Sequence, residues 1–156
     1  MQPNKHIIIY SHGFGVLKDD CGIFTDIAKA FSESESVLFD YNDVDEANNT
    51  LTVYPFSVQA KKLQSVISET RLKNPDATID LICHSQGTLI AALAKPEGIR
   101  RIIFLAPSFE MEIERSIERY RSRPGNIIDL QGISRLPGTE GFIRNFSGND
   151  RKLLIE

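Results

Sequence analysis

The chain has little that would bind it to a metal, a nucleic acid or a bilayer. Its 156 residues include two cysteines, Cys21 and Cys83, too few for a disulfide framework and without the spacing of a zinc site. Cys83 falls within an apolar run and reads as a packed thiol. Cys21 precedes a helix and takes no assigned role. There is no basic stripe: 18 Lys and Arg stand against 21 Asp and Glu, for a net charge of −3, which argues against nucleic acid as the main partner. The longest early apolar run, Ile7 to Tyr10, is too short for a signal h-region or a membrane span, so a cytoplasmic protein is expected. Neither the P-loop lysine spacing nor G-x-G-x-x-G is present. The acidic stretch from Asp40 to Thr50 lacks the glycine that a calcium loop needs at its sixth position, and reads as a solvated connection. No cofactor and no metal are therefore expected. Internal repeats and low-complexity tracts are also missing.

What remains is an ordinary globular composition, 41% hydrophobic and 25% charged. At this length the chain is expected to form a single domain, 1–156, with a core of its own. One stretch organises it, Thr78 to Leu93. An apolar, β-branched run meets the polar knot Cys83-His84-Ser85-Gln86-Gly87, and an Ala/Leu-rich run follows, which reads as buried strand, tight turn and helix. Ser85 sits at the turn, and Gly87 permits close approach because it has no Cβ. The pattern is G-x-S-x-G with Cys83 in place of the first glycine. On this pentapeptide alone, a nucleophile and a helix N-cap are equally good readings of Ser85. A second stretch, Lys5 to Gly15, is another buried-strand run that ends in His12-Gly13-Phe14-Gly15. Glycines in such a loop turn backbone N–H groups toward a ligand oxygen, as an oxyanion hole requires.

Between these stretches the chain alternates strands with helices. Asp19 and Asp20 offer helix-start carboxylates, and Phe24, Ile27, Ala28 and Phe31 share one helical face. Val37 to Phe39 reads as a short strand. Ser57 is placed to cap a helix running to about Lys73, with Leu63, Val66, Ile67 and Thr70 inward. Gln86 to Ala94 is a helix, and Arg101 to Ala106 is a strand closed by Pro107. Alternation of this kind predicts an α/β fold, with a mostly parallel sheet, right-handed crossovers and flanking helices. Further on, Glu110 to Arg121 reads as a surface helix, Asn126 to Leu130 as a strand or lid loop, Leu136-Pro137-Gly138 as a turn, and Arg151 to Glu156 as a last helix.

The segments His12-Gly13-Phe14-Gly15 and Cys83-His84-Ser85-Gln86-Gly87, in that order and each after a strand, resemble the oxyanion loop and nucleophile turn of the α/β-hydrolase family. The resemblance runs from Lys5 to Pro107 and points to small bacterial esterase-like members. It implies a reduced α/β-hydrolase fold, with the first strand between the second and third, and residues about 108–140 as a lid-like or remodelled region. It implies Ser85 as nucleophile, the amides of Gln86 and Phe14 as oxyanion donors, and a small carboxylic ester as substrate.

The chain departs from the family at the base. The family order is Ser, acid, His, yet no histidine follows Ser85. His6, His12 and His84 are expected in structural or loop-bracing roles. Arg144-Asn145-Phe146 resembles the family's His-x-Phe segment with Arg144 in place of His, and Arg cannot act as a base near neutral pH. Asp129 is the nominated acid. Losing a triad costs on the order of 10⁶ in kcat, so slow turnover is expected. The alternative is a catalytically inactive or truncated binding and assembly domain. A third reading, a doubly wound module that holds a phosphate at His12 to Gly15, has the least support. Finally, Arg101 to Leu105 is expected at a sheet edge, which invites a homodimer.

Overall fold

The computed structural model describes residues 5–45, 50–107 and 133–135, with the side chains of 45, 50, 51 and 133–135 left aside. In chain order the elements are β1 (His6–Ser11), α1 (Ile23–Ala30), β2 (Glu35–Leu38), β3 (Asp43–Asp45), β4 (Thr50–Val53), α2 (Phe56–Lys73), β5 (Thr78–His84), α3 (Gln86–Ala94), β6 (Arg101–Leu105) and β7 (Ile133–Arg135). The expected helix at 110–121, the segments 126–130, 136–138 and 151–156, and the residues Asp129 and Arg144 lie outside the described residues.

Four strands form a parallel sheet in the order β2-β1-β5-β6, so the first strand does lie between the second and the third of that sheet. Central parallel strands are covered on both faces and need apolar residues at every position. Ile7, Ile8, Ile9 and Tyr10 meet that demand in β1, and Ile79, Leu81 and Ile82 in β5. Ile7, Ile9, Leu81 and Cys83 face one cluster with Leu63 of α2 and Leu89 and Ile90 of α3. Ile8, Tyr10 and Ile82 face the other, against Phe24 of α1. Tyr10 and Phe24 pack with ring centroids 5.0 Å apart.

Helix α2 buries Leu63, Ile67 and Thr70 as its periodicity predicts, with Phe56, Gln59 and Ala60 added in its first turns. Its start differs: Pro55 occupies the cap position and Ser57 is exposed inside the helix. The Pro55 carbonyl accepts Val58 N–H at 3.0 Å and Gln59 N–H at 3.1 Å, and no side-chain cap bond is made. Strand β2 begins two residues earlier than Val37, with Glu35 in register with Ile7.

The acidic stretch after Asp40 is not simply a solvated connection. Asp43–Asp45 pairs antiparallel with Thr50–Val53, and Thr52 and its neighbours pair in turn with Ile133–Arg135, giving a small second sheet in the order β3-β4-β7. Val44, Thr50, Thr52 and Val53 carry the β-branched bias of strands, which the surrounding Asp and Asn residues mask.

At the amino end of the main sheet, buried Asp80 holds β1, β5 and the approach to β6 together. Arg100 donates Nε to Oδ1 at 2.9 Å and Nη2 to Oδ2 at 2.5 Å, and His6 Nε2 lies 3.0 Å from Oδ2. Ser34 Oγ lies 2.7 Å from the other nitrogen of His6. The Arg100 hydrogen bonds are the main cause of an Asp80 carboxyl pKa below the usual range.

Candidate active site

Ser85 follows β5 directly and precedes α3, with φ 49° and ψ −119°. Positive φ in a non-glycine residue is uncommon and strained. Its side chain makes no cap hydrogen bond to the helix. The Ser85 carbonyl instead accepts from Thr88 N–H at 3.0 Å and Thr88 Oγ1 at 2.6 Å. The Ser85 N–H donates to Leu105 O of β6 at 2.9 Å. The turn is thus held by its main chain, and the N-cap reading of the side chain finds no counterpart.

Gly87 explains how α3 comes so close. A Cβ there would lie 2.2 Å from Ser11 O and 2.8 Å from His12 O. The first turn of α3 therefore rests against the carboxyl end of β1, where Ser11 Oγ donates to Gly87 O at 3.1 Å and pairs with Tyr41 Oη at 2.8 Å. Parallel pairing sets Ser11 opposite Cys83. The loop after β1 and the turn after β5 consequently meet: a Cβ on Gly13 would lie 3.4 Å from Ser85 Cβ and 3.4 Å from His84 Nδ1.

The three histidines divide by position. His12 is fully buried; its Nδ1–H donates to Gly13 O at 2.8 Å and its Nε2 accepts from Tyr41 N–H at 3.0 Å. Those two bonds require the neutral ring, and burial lowers its pKa. His6 stands at the far end of the sheet with Asp80. His84 Nδ1 donates to Asp20 Oδ2 at 2.7 Å, and the same oxygen accepts Gly13 N–H at 2.9 Å.

Asp20 is the site residue that sequence reasoning placed wrongly. Helix α1 starts only at Ile23, after Asp20, Cys21 and Gly22 at φ 50°, 56° and 93°. That left-handed run turns the buried Asp20 carboxylate inward, where a backbone N–H and an imidazole satisfy it, instead of leaving it at the helix start. Its partner is 64 residues away, and no local pattern announces such a pairing.

Gln86 is buried, its Nε2 donating to Gln59 Oε1 at 3.2 Å. Phe14 follows Gly13 in the loop and is half-buried. Ser85, Gln86 and the Gly13-Phe14 segment therefore occupy the ends of adjacent strands. Cys83 is buried behind them, its thiol pKa pushed up to about 12 by burial, which suits a packed and unreactive thiol. Among the described residues, no three His, Cys, Asp or Glu side chains stand together as metal ligands, and no helix is long and apolar enough to cross a membrane.

The fold and this turn define an α/β protein with a strained serine between strand and helix at the carboxyl edge of a parallel sheet. Residues 26–100 are similar to the family described as the T6SS Tle3 phospholipase effector domain. The similarity covers a little under half of the chain, from within α1 to just before β6, and includes Ser85 and Gln86 but not the His12–Gly15 loop. No curated protein matches the chain.

Proposed function

We propose that this chain is a serine hydrolase of the α/β type that cleaves a carboxylic ester of a phospholipid, with Ser85 as nucleophile. The observation that carries the reading is the Ser85 backbone, held at φ 49°, ψ −119° without using the side chain as a cap. Such conformations cost on the order of 1–3 kcal/mol and persist where the surrounding structure enforces them, most often at reactive sites. The similarity of residues 26–100 to a phospholipase effector domain supports a lipid ester over a small soluble one.

In this reading Ser85 Oγ attacks the acyl carbon, its proton passes by way of water to the departing alcohol oxygen as the ester C–O bond breaks, and a second water hydrolyses the acyl-enzyme to fatty acid and free Ser85. The Gln86 amide, at the first position of α3, is one oxyanion donor. The second donor in this reading is the Phe14 amide, in the loop whose Gly13 stands beside Ser85. His84 and Asp20 position this pair of segments: one carboxylate oxygen ties the turn to the loop. His12 and His6 have both ring nitrogens engaged elsewhere. With no histidine after Ser85 in the chain and both ring nitrogens of His6 and His12 engaged, turnover in this reading is slow.

A fluorophosphonate probe tests the reading. The wild-type chain is expected to label stoichiometrically and to release fatty acid from phospholipid vesicles, and Ser85→Ala to lose both. Equal labelling of the two proteins would overturn it.

A further inference from the structure

We propose that His12 is a positioning residue of the oxyanion hole: by holding the Gly13 carbonyl it fixes the direction of the Phe14 N–H. The use of that N–H as a donor rests on the hydrolase reading above; its orientation does not.

Gly13 packs against the reacting turn, since a Cβ there would lie 3.4 Å from Ser85 Cβ. A glycine leaves room for that turn, but it also loosens the loop, because both of its backbone torsions move easily. The peptide unit between Gly13 and Phe14 can then flip, exchanging the places of its C=O and N–H. An oxyanion hole needs the N–H aimed beforehand, because a donor set in advance costs no reorganisation during the reaction.

Two hydrogen bonds remove that freedom, one on each side of Gly13. Its N–H donates to Asp20 Oδ2 at 2.9 Å, which fixes the peptide unit before it. Its carbonyl accepts from His12 Nδ1 at 2.8 Å, which fixes the peptide unit after it. Among the described residues no peptide bond is cis. In a trans unit the C=O and the N–H point in opposite directions. The Gly13 carbonyl points to the His12 ring, which is 1% exposed, so the Phe14 N–H points away from that packed side.

The ring is itself held in the one form that can do this. Its Nε2 faces the Tyr41 N–H at 3.0 Å, a group that donates and never accepts, so Nε2 carries the lone pair and Nδ1 the proton. The bond at one ring nitrogen thus decides what the other can do. Burial keeps the ring neutral, as both bonds need. The Tyr41 ring packs beside it, with centroids 4.8 Å apart.

Tyr41 also reaches the other half of the site. Its hydroxyl pairs with Ser11 Oγ, which donates to the Gly87 carbonyl in the first turn of α3. The turn that supplies the Gln86 amide and the loop that supplies the Phe14 amide are therefore both tied to one buried residue. His12 is the link on the loop side.

The test uses the full chain, first unaltered and then with two substitutions. Ring-nitrogen NMR of the wild type at neutral pH should show the Nδ1–H tautomer of His12; the Nε2–H tautomer would overturn the proposal. His12→Asn places an amide N–H where Nδ1 stood and gives up the acceptor for Tyr41. His12→Gln places an amide oxygen where Nε2 stood and gives up the donor to Gly13. Each loses one buried bond, so similar falls in urea midpoint are expected. The rate of fluorophosphonate labelling at Ser85 should fall no more than about threefold in His12→Asn but about thirtyfold in His12→Gln, short of the roughly 10²–10³ lost when an oxyanion donor is removed outright. Equal rates for the two variants, or a faster rate for His12→Gln, would overturn the proposal. The Phe14 amide nitrogen resonance senses the bond made by the Gly13 carbonyl of the same peptide unit. It should move in His12→Gln and hold its place in His12→Asn. If the wild type does not label, the hydrolase reading falls, while the tautomer and this resonance still decide the orientation: a Phe14 signal unmoved in both variants overturns it.

Discussion

Ser85 carries a backbone cost that no side-chain cap hydrogen bond offsets. With φ at 49° the residue occupies backbone space open to glycine at no steric charge. Comparison of Ser85→Gly with Ser85→Ala isolates that backbone contribution, since both remove the hydroxyl. The glycine variant is expected to be the more stable of the two by about 1 kcal/mol, strain relief exceeding the entropy that glycine adds to the unfolded chain. Urea unfolding reads the difference. The opposite order would mean that the turn is relaxed and that its geometry says nothing about reactivity. Neighbouring Asp20 teaches the complementary lesson. A carboxylate ahead of a helix pattern looks like a helix-start group, and the local sequence offers no way to see that three consecutive left-handed residues redirect it to His84.

Among the elements, those with their own periodicity were legible. The β-branched runs of β1 and β5, the Ala/Leu run of α3 and the apolar face of α2 each specify their state locally, and alternation then fixes a parallel sheet. Strands β3, β4 and β7 escaped because their pairing is non-local and their few β-branched residues sit among Asp and Asn. At the site, the Ser85 turn and the Gly13 loop could be placed from sequence, whereas the bond joining them could not. Strand β6 poses a different question. Its Ile102, Ile103 and Phe104 are each about two-fifths exposed, at the edge of the sheet among the described residues. Leu81 in central β5 is fully buried. Leu81→Ala should therefore cost about 2–5 kcal/mol, and Ile103→Ala less than half of that. A loss at Ile103 equal to that at Leu81 would show that β6 is covered in solution, and its dependence on protein concentration would reveal whether the cover is a second copy.

For the whole molecule, two buried groups set how stability responds to acid. His12 is held neutral by burial, so its folded pKa lies below that of the unfolded chain. The unfolded state then binds the extra proton first, and stability falls as pH drops below about 6.5. Asp80 is depressed chiefly by its Arg100 hydrogen bonds. Its contribution is present above the unfolded carboxylate value and is lost as pH falls below about 4 toward the folded value. Unfolding free energies measured from pH 8 to pH 3 should show both declines, and Asp80→Asn should remove the lower one while keeping the upper. A flat response between pH 7 and 5 would contradict a neutral, doubly bonded His12.

The amide of Ser85 hangs on the carbonyl of Leu105, the last residue of β6, which among the described residues is an edge strand of the parallel sheet. Whatever abuts that margin, whether a later part of the chain or another molecule, pulls on the same thread that sets the attitude of the hydroxyl. The posture of this serine is thereby tied to the margin of the sheet, and a change at that margin has a one-bond path to the turn.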